Sequence, residues 1–304
     1  MSPPGHKKNR ILQVDVTDRC SLACSNCTRH LAHHGQRYDI SVEVFRLACR
    51  ILNRALPDFV IGCFGGEPTL HPRFPELCIA MQQEIPDVRR RGLWTSRLHK
   101  HGQIAAATFT GGYLNLNGHN VPEAEAEFDR WFPGRMINES RVGGHKANHA
   151  ALLTAIKDFV GTPQVPDENA MWRMIMSCDY DREWSGCVIE RDAKPMLYSC
   201  EIHAGFDLMY GENNGVELTD ESAVAGINTF AHQYQRWCPS CGGGLRLVGH
   251  QDAAETDDVS KTHLPLVQLK VRRKLAVHES LDAAPRCEQS TDYERRRTAE
   301  RVGA

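Results

Sequence analysis

The stretch Ile11-Leu12-Gln13-Val14-Asp15-Val16-Thr17-Asp18-Arg19-Cys20-Ser21-Leu22-Ala23-Cys24-Ser25-Asn26-Cys27 opens as a strand and closes on three cysteines. Apolar and polar side chains alternate from Ile11 to Val16, which is the period of a β-strand. Cys20, Cys24 and Cys27 follow at once in a C-x3-C-x2-C pattern. Three thiolates can hold three irons of a cubane iron–sulfur cluster. With no fourth cysteine, one iron stays open to a non-protein ligand, as catalytic metal centres require. Zinc is the alternative, with His30 or His33 as a fourth ligand.

Working outward, Ser41 is placed to cap a helix whose apolar face is Val44, Phe45, Leu47, Ala48, Ile51 and Leu52. Phe59 to Phe64 reads as a second strand and ends in Gly65-Gly66-Glu67-Pro68. Glycines there let a ligand lie against bare backbone, and Glu67 can accept from an ammonium group. The plain alternative is a turn between strand and helix. Phe74, Leu77, Cys78, Met81 and Ile85 mark a second helix. Gly92 to Ser96 and Tyr113 to Asn117 read as strands, Glu123 to Trp131 as a helix, and Leu152 to Val160 as a further strand. Strands alternating with helices imply a parallel sheet.

Composition bounds the function classes. The chain has 304 residues, enough for a large α/β domain and a small appendage. A formal net charge of −2 gives no basic field for nucleic acid or an anionic membrane. Met1 to Arg10 lacks the apolar centre of a signal peptide, and no stretch has the ~20 apolar residues of a transmembrane helix. A cytoplasmic location is therefore expected. In a reducing compartment the 12 cysteines favour metal or cluster binding over disulfides.

The two motifs in this order, each after a strand, resemble the radical S-adenosylmethionine (SAM) superfamily over about residues 10 to 160. The resemblance implies a partial (β/α)6 TIM-like barrel with the cluster at the C-terminal mouth of the strands. It implies a [4Fe–4S] cluster held by Cys20, Cys24 and Cys27, with the amine and carboxylate of SAM on the open iron. Gly65, Gly66, Glu67 and Pro68 would bind that amine. Ser96 resembles the ribose or carboxylate contact, and Asn115 or Asn117 a similar one. The residue before the third cysteine is often aromatic in the superfamily; here it is Asn26, whose backbone would still reach adenine. The implied reaction is reductive cleavage of SAM to a 5′-deoxyadenosyl radical that takes hydrogen from a substrate, with flavodoxin or ferredoxin as electron donor.

A second cysteine group follows. Val188 to Ser199 reads as a hairpin turning at Asp192-Ala193-Lys194-Pro195, and Asp167 to Met176 as a helix. Cys178 and Cys187 precede or enter the hairpin, Cys200 ends it, and Cys238 and Cys241 form a C-x2-C pair. This arrangement resembles the SPASM/Twitch extensions, which carry auxiliary [4Fe–4S] clusters. Five cysteines suffice for one such cluster. The ligand set is Cys200, Cys238, Cys241 and either Cys178 or Cys187, with Cys178 preferred; a structural zinc knuckle is the alternative. No comparable apolar core is evident between Cys178 and Gly249, so a metal staple is expected there.

The expected division is a radical SAM core at 1–165, an auxiliary cluster region at 166–250 as a cysteine-rich hairpin extension, and a charged, loosely held tail at 251–304. Cys49, Cys63 and Cys78 read as core residues, Cys287 as a tail thiol, and Arg295-Arg296-Arg297 as a solvated face. His145, Lys146 and His149 read as a loop near the mouth. No side chain is singled out as a catalytic acid or base. The first strand begins at Ile11, which shifts expectation from a peptide maturase with its own leader-binding domain. The expected substrate is a small molecule, a nucleoside or nucleotide, or a peptide delivered by a partner protein; resemblance of the C-terminal region also admits phage-type nucleobase hypermodification. A zinc or iron–sulfur binding module without SAM chemistry is the non-enzyme alternative.

Overall fold

The computed structural model describes residues 10–22, 27–34, 37–117, 121–135, 145–147, 151–178, 180, 186–245, 249–251, 256–268 and 274–278. Cys24, Asn26, His149, Cys287 and Arg295-Arg296-Arg297 lie outside the described residues.

Four parallel strands with intervening helices form the N-terminal half. These are β1 (Ile11–Asp15), α1 (Val42–Ala55), β2 (Val60–Phe64), α2 (Phe74–Glu84), β3 (Arg91–Thr95), α3 (Gly102–Phe109), β4 (Tyr113–Leu116) and α4 (Pro122–Trp131). The helix starts follow local chemistry. Ser41 Oγ accepts from Val44 N at 3.2 Å at the start of α1, and prolines occupy the first turns of α2 and α4. Val44, Phe45, Ala48, Cys49, Ile51 and Leu52 face inward from α1. Leu47, expected on that face, is 40% exposed because it falls off the 3.6-residue stripe.

The second half contains β5 (His145–Ala147), α5 (Glu168–Met176), β6 (Gly186–Arg191), β7 (Lys194–Tyr198), α6 (Glu201–Tyr210), β8 (Val216–Glu217), α7 (Asp220–Ala223) and α8 (Ala231–Trp237). It ends with β9 (Gly249–Gln251), β10 (Thr256–Ser260), α9 (Leu264–Gln268) and β11 (Lys274–His278). The hairpin β6–β7 turns through Asp192 and Ala193, both with positive φ (49° and 59°), as a two-residue primed turn requires.

The central sheet has seven strands in the order β4-β3-β2-β1-β6-β7-β8. The run from β4 to β6 is parallel; β7 and β8 are antiparallel to it. Among the described residues the fold is thus mixed α/β with an open sheet whose parallel run has five strands. Two readings change. Leu152–Val160 is not a strand: it contains a short 3-10 helix, Ile156–Phe159, whose Ile156 and Phe159 fill an apolar cluster with Val165, Met171, Ile175 and Leu245. The fifth parallel strand is instead β6, the first arm of the hairpin, which pairs with β1. With neighbours on both sides, β1 is buried along its whole length, Gln13 and Asp15 included.

The region after Cys178 also has more core than its sequence suggests. Cys200, Ile202, Phe206, Met209, Trp237 and Val259 belong to one buried cluster. Each fully buried apolar side chain there contributes about 1.5–3 kcal/mol. The segment that begins the expected loose tail is part of this packing. Val259, Ser260 and His263 are buried, Ser260 N donates to Leu153 O at 3.1 Å, and Asp158 accepts from Thr262 N at 2.8 Å.

Candidate functional site

The C-terminal ends of the parallel strands bring the N-terminal motifs together, at the edge where open α/β sheets bind ligands. β1 runs through Thr17 to Cys20, β2 into Gly65–Pro68, β3 into Ser96 and β4 into Asn117. The first two loops are bonded to each other: Gly66 N donates to Thr17 O at 2.7 Å and Glu67 N to Arg19 O at 2.6 Å. Gly65 has φ +146°, and a Cβ on it would stand 2.6 Å from Asp15 Oδ1. A Cβ on Gly66 would strike the Arg19 carbonyl. The two glycines are therefore needed for the protein's own close approach, directly beside Cys20. Asn117 N continues the edge by donating to Thr95 O at 2.9 Å.

Glu67 is fully buried, and its carboxylate is engaged by protein donors. Oε1 accepts from Thr69 N (3.2 Å), Thr69 Oγ1 (2.9 Å) and Thr95 Oγ1 (2.5 Å). Oε2 accepts from Ser96 N (2.7 Å), Ser96 Oγ (2.6 Å) and Arg97 N (3.2 Å). A carboxylate offers about four acceptor positions, so this one is saturated. The side chain ties the loop after β2 to the loop after β3. A ligand ammonium at this stretch would fall to its main chain rather than to the Glu67 carboxylate. Pro68 starts a short 3-10 turn, Pro68–Leu70, that Glu67 caps.

Cys20 and Cys27 are both half-buried. Burial pushes the Cys20 thiol up to about 12, and the nearby Cys27 and Glu67 add to it. Their loop is anchored on two sides. Arg19 makes a bidentate pair with Asp39 (Nε–Oδ1 2.9 Å, Nη2–Oδ2 2.8 Å), and Asp39 also accepts from Thr17 Oγ1 at 2.6 Å. Beyond Cys27, buried Arg29 pairs with Asp15 and donates to the Glu201 carbonyl. Cys20, close to both Cys27 and Glu67, contributes with Cys27 a soft donor set that suits an iron–sulfur cluster.

The cysteines of the second group come from three segments. Cys178 follows α5, Cys200 is the N-cap of α6, and Cys238 and Cys241 bracket the turn after α8. All four line one cavity with Ile175, Tyr180, Ile202, His203 and Gly244. Cys187 is elsewhere: it lies in β6, fully buried, opposite Gln13 and Tyr198 in the central sheet. Burial pushes the Cys241 thiol well above its ordinary range, with Cys178 and Cys200 adding to it. Four cysteine sulfurs from three segments thus surround an apolar space, a soft donor set whose chemistry suits an iron–sulfur cluster or zinc. Among the described residues, no three His, Cys, Asp or Glu side chains converge as they would on a single metal ion.

His203 is the site residue that sequence reasoning missed. It is buried, lines the cavity, and places Nε2 3.3 Å from Cys238 Sγ. Its helix α6 carries buried residues at nearly every position from Glu201 to Met209, so no amphipathic stripe marks it.

No protein-family model matches the chain. A 76-residue stretch is 37% identical to 7,8-dihydro-6-hydroxymethylpterin dimethyltransferase of Methanocaldococcus jannaschii, covering 24% of this chain and 15% of that protein. The match therefore spans a small part of that relative. Among solved structures, BtrN in complex with AdoMet and 2-DOIA aligns over 77% of this chain and 93% of that one, at 12% identity and a TM-score of 0.38. No described helix is long and apolar enough to cross a membrane.

Proposed function

We propose that this chain is a radical SAM enzyme whose catalytic cluster is held by Cys20, Cys24 and Cys27. The observation that carries this reading is the pair of main-chain bonds locking the Cys20 loop to Gly65–Pro68, Gly66 N to Thr17 O and Glu67 N to Arg19 O. This supports reading two motifs that are 38 or more residues apart in sequence as one site. When bound, the reduced [4Fe–4S] cluster supplies the electron that cleaves SAM to methionine and a 5′-deoxyadenosyl radical.

The chain's own residues hold and orient. The main chain of Gly65 and Gly66 would meet the SAM amine, while the Glu67 side chain ties their loop to the loop after β3. Ser96 and Asn117, at the ends of β3 and β4, would contact the rest of the cofactor. Arg19–Asp39 and Arg29–Asp15 keep the cysteine loop in place.

Cys178, Cys200, Cys238 and Cys241 would hold an auxiliary [4Fe–4S] cluster, with structural zinc as the alternative. The catalytic part is assigned to 1–165 and the auxiliary site to 166–250. The substrate class is a small molecule, a nucleoside or nucleotide, or a peptide, and the electron donor a flavodoxin or ferredoxin. A second reading, methyl transfer to a pterin, draws on the 37% local identity to the dimethyltransferase.

The test is electron paramagnetic resonance of anaerobically reconstituted, dithionite-reduced protein. SAM should change the cluster signal in wild type. In Cys24→Ala the SAM-sensitive signal should be absent. An unchanged wild-type signal would count against SAM on an open iron. Formation of S-adenosylhomocysteine when a reduced pterin is added would favour the second reading.

A further inference from the structure

We infer that His203 is the positioning residue of the second cysteine site, donating its Nε2–H to the sulfur of Cys238. The inference rests on the reading of Cys178, Cys200, Cys238 and Cys241 as a metal centre. Three observations carry it. His203 Nε2 lies 3.3 Å from Cys238 Sγ, within the range of an N–H···S bond. His203 Nδ1 lies 3.1 Å from Ser199 Oγ on its other side. The ring is buried, at 3% exposure, and Tyr234 packs edge-on to it with centroids 5.6 Å apart.

The direction of the bonds follows from chemistry. A metal-bound cysteine is a thiolate and can only accept. Nε2 must therefore carry the proton, and the bare Nδ1 must accept from the Ser199 hydroxyl. Ser199 is itself fixed: its N–H donates to Gln233 Oε1 at 3.0 Å, and Gln233 Nε2 donates to Leu197 O at 3.2 Å and Asn214 O at 3.0 Å. Ser199 and Gln233 are fully buried. Gln233 thus holds the backbone of Ser199 in place, and the Ser199 hydroxyl on Nδ1 sets the tautomer that aims Nε2–H at the Cys238 sulfur.

Hydrogen bonds to the sulfurs are among the factors that set the potential of an iron–sulfur cluster. A donor at Cys238 stabilises the more negative, reduced form. Removing it should make reduction about tenfold less favourable, about 59 mV for one electron.

The experiment uses full-length Cys20→Ala/Cys24→Ala/Cys27→Ala protein, so that only the second centre titrates. Its iron content and midpoint potential are compared with those of the same protein carrying His203→Leu, His203→Gln or Ser199→Ala. The expected result is unchanged iron, a potential about tenfold less favourable in His203→Leu, a smaller shift in Ser199→Ala, and recovery in His203→Gln, which keeps an N–H donor. Full iron with an unchanged potential in His203→Leu and Ser199→Ala would overturn the role of His203 and leave the second centre standing. A background protein that carries zinc or no metal would overturn the cluster reading itself, and the inference with it.

Discussion

The ring of His30, three residues beyond Cys27, stacks on Phe206 with centroids 4.5 Å apart. Phe206 in turn stacks on Trp237 at 5.5 Å, and Trp237 immediately precedes Cys238. One aromatic wedge on α6 therefore touches both cysteine regions. Gly205 leaves room for that approach: a Cβ there would stand 2.8 Å from the Thr28 carbonyl oxygen. Phe206→Ala should cost about 3–5 kcal/mol, the usual range for deleting a buried phenylalanine side chain. Urea unfolding of the metal-free protein checks this. Iron retention should fall at both sites, which a defect confined to one site would not produce.

Glu67 gives a second test. Replacing it by Gln puts an amide N–H₂ among donors from Ser96 and Arg97 that now have one acceptor fewer. Leaving such buried donors unsatisfied costs about 1–3 kcal/mol. SAM-free Glu67→Gln should therefore unfold at lower denaturant than wild type. If its stability without SAM equals that of wild type, the carboxylate serves the ligand and not the loops.

What was legible in the sequence was local. Ser41, Asp167 and the Asp192-Ala193 turn mark boundaries that the structure keeps, because caps and turns use neighbouring residues. What was not legible depends on distant partners. The turn residues Asp192-Ala193-Lys194-Pro195 mark β6 and β7 as a hairpin but carry no signal that β6 joins β1. The apolar run at Leu152–Val160 fits a strand or a buried turn equally well until Asp158 is seen anchored to Thr262. The engagement of Glu67 was hidden for the same reason, since Thr95 and Ser96 are 28 and 29 residues away. His203 faces Cys238 across 35 residues and has no motif of its own.

The surplus cysteine can be assigned by metal content. Cys178 lines the cavity and Cys187 does not. Wild type should bind about eight irons, as two cubanes, and Cys178→Ala about four. Cys187→Ala should keep about eight irons and lose stability instead, because it vacates the buried centre of the sheet. The reverse pattern would move the fourth ligand to Cys187.

The most direct measurement is chromatographic detection of 5′-deoxyadenosine after anaerobic reconstitution, reduction with dithionite and addition of SAM. Wild type should form it, and the Cys20→Ala/Cys24→Ala/Cys27→Ala protein should not. Equal amounts from both proteins, or none from wild type with its cluster fully loaded, would contradict radical SAM chemistry at this site.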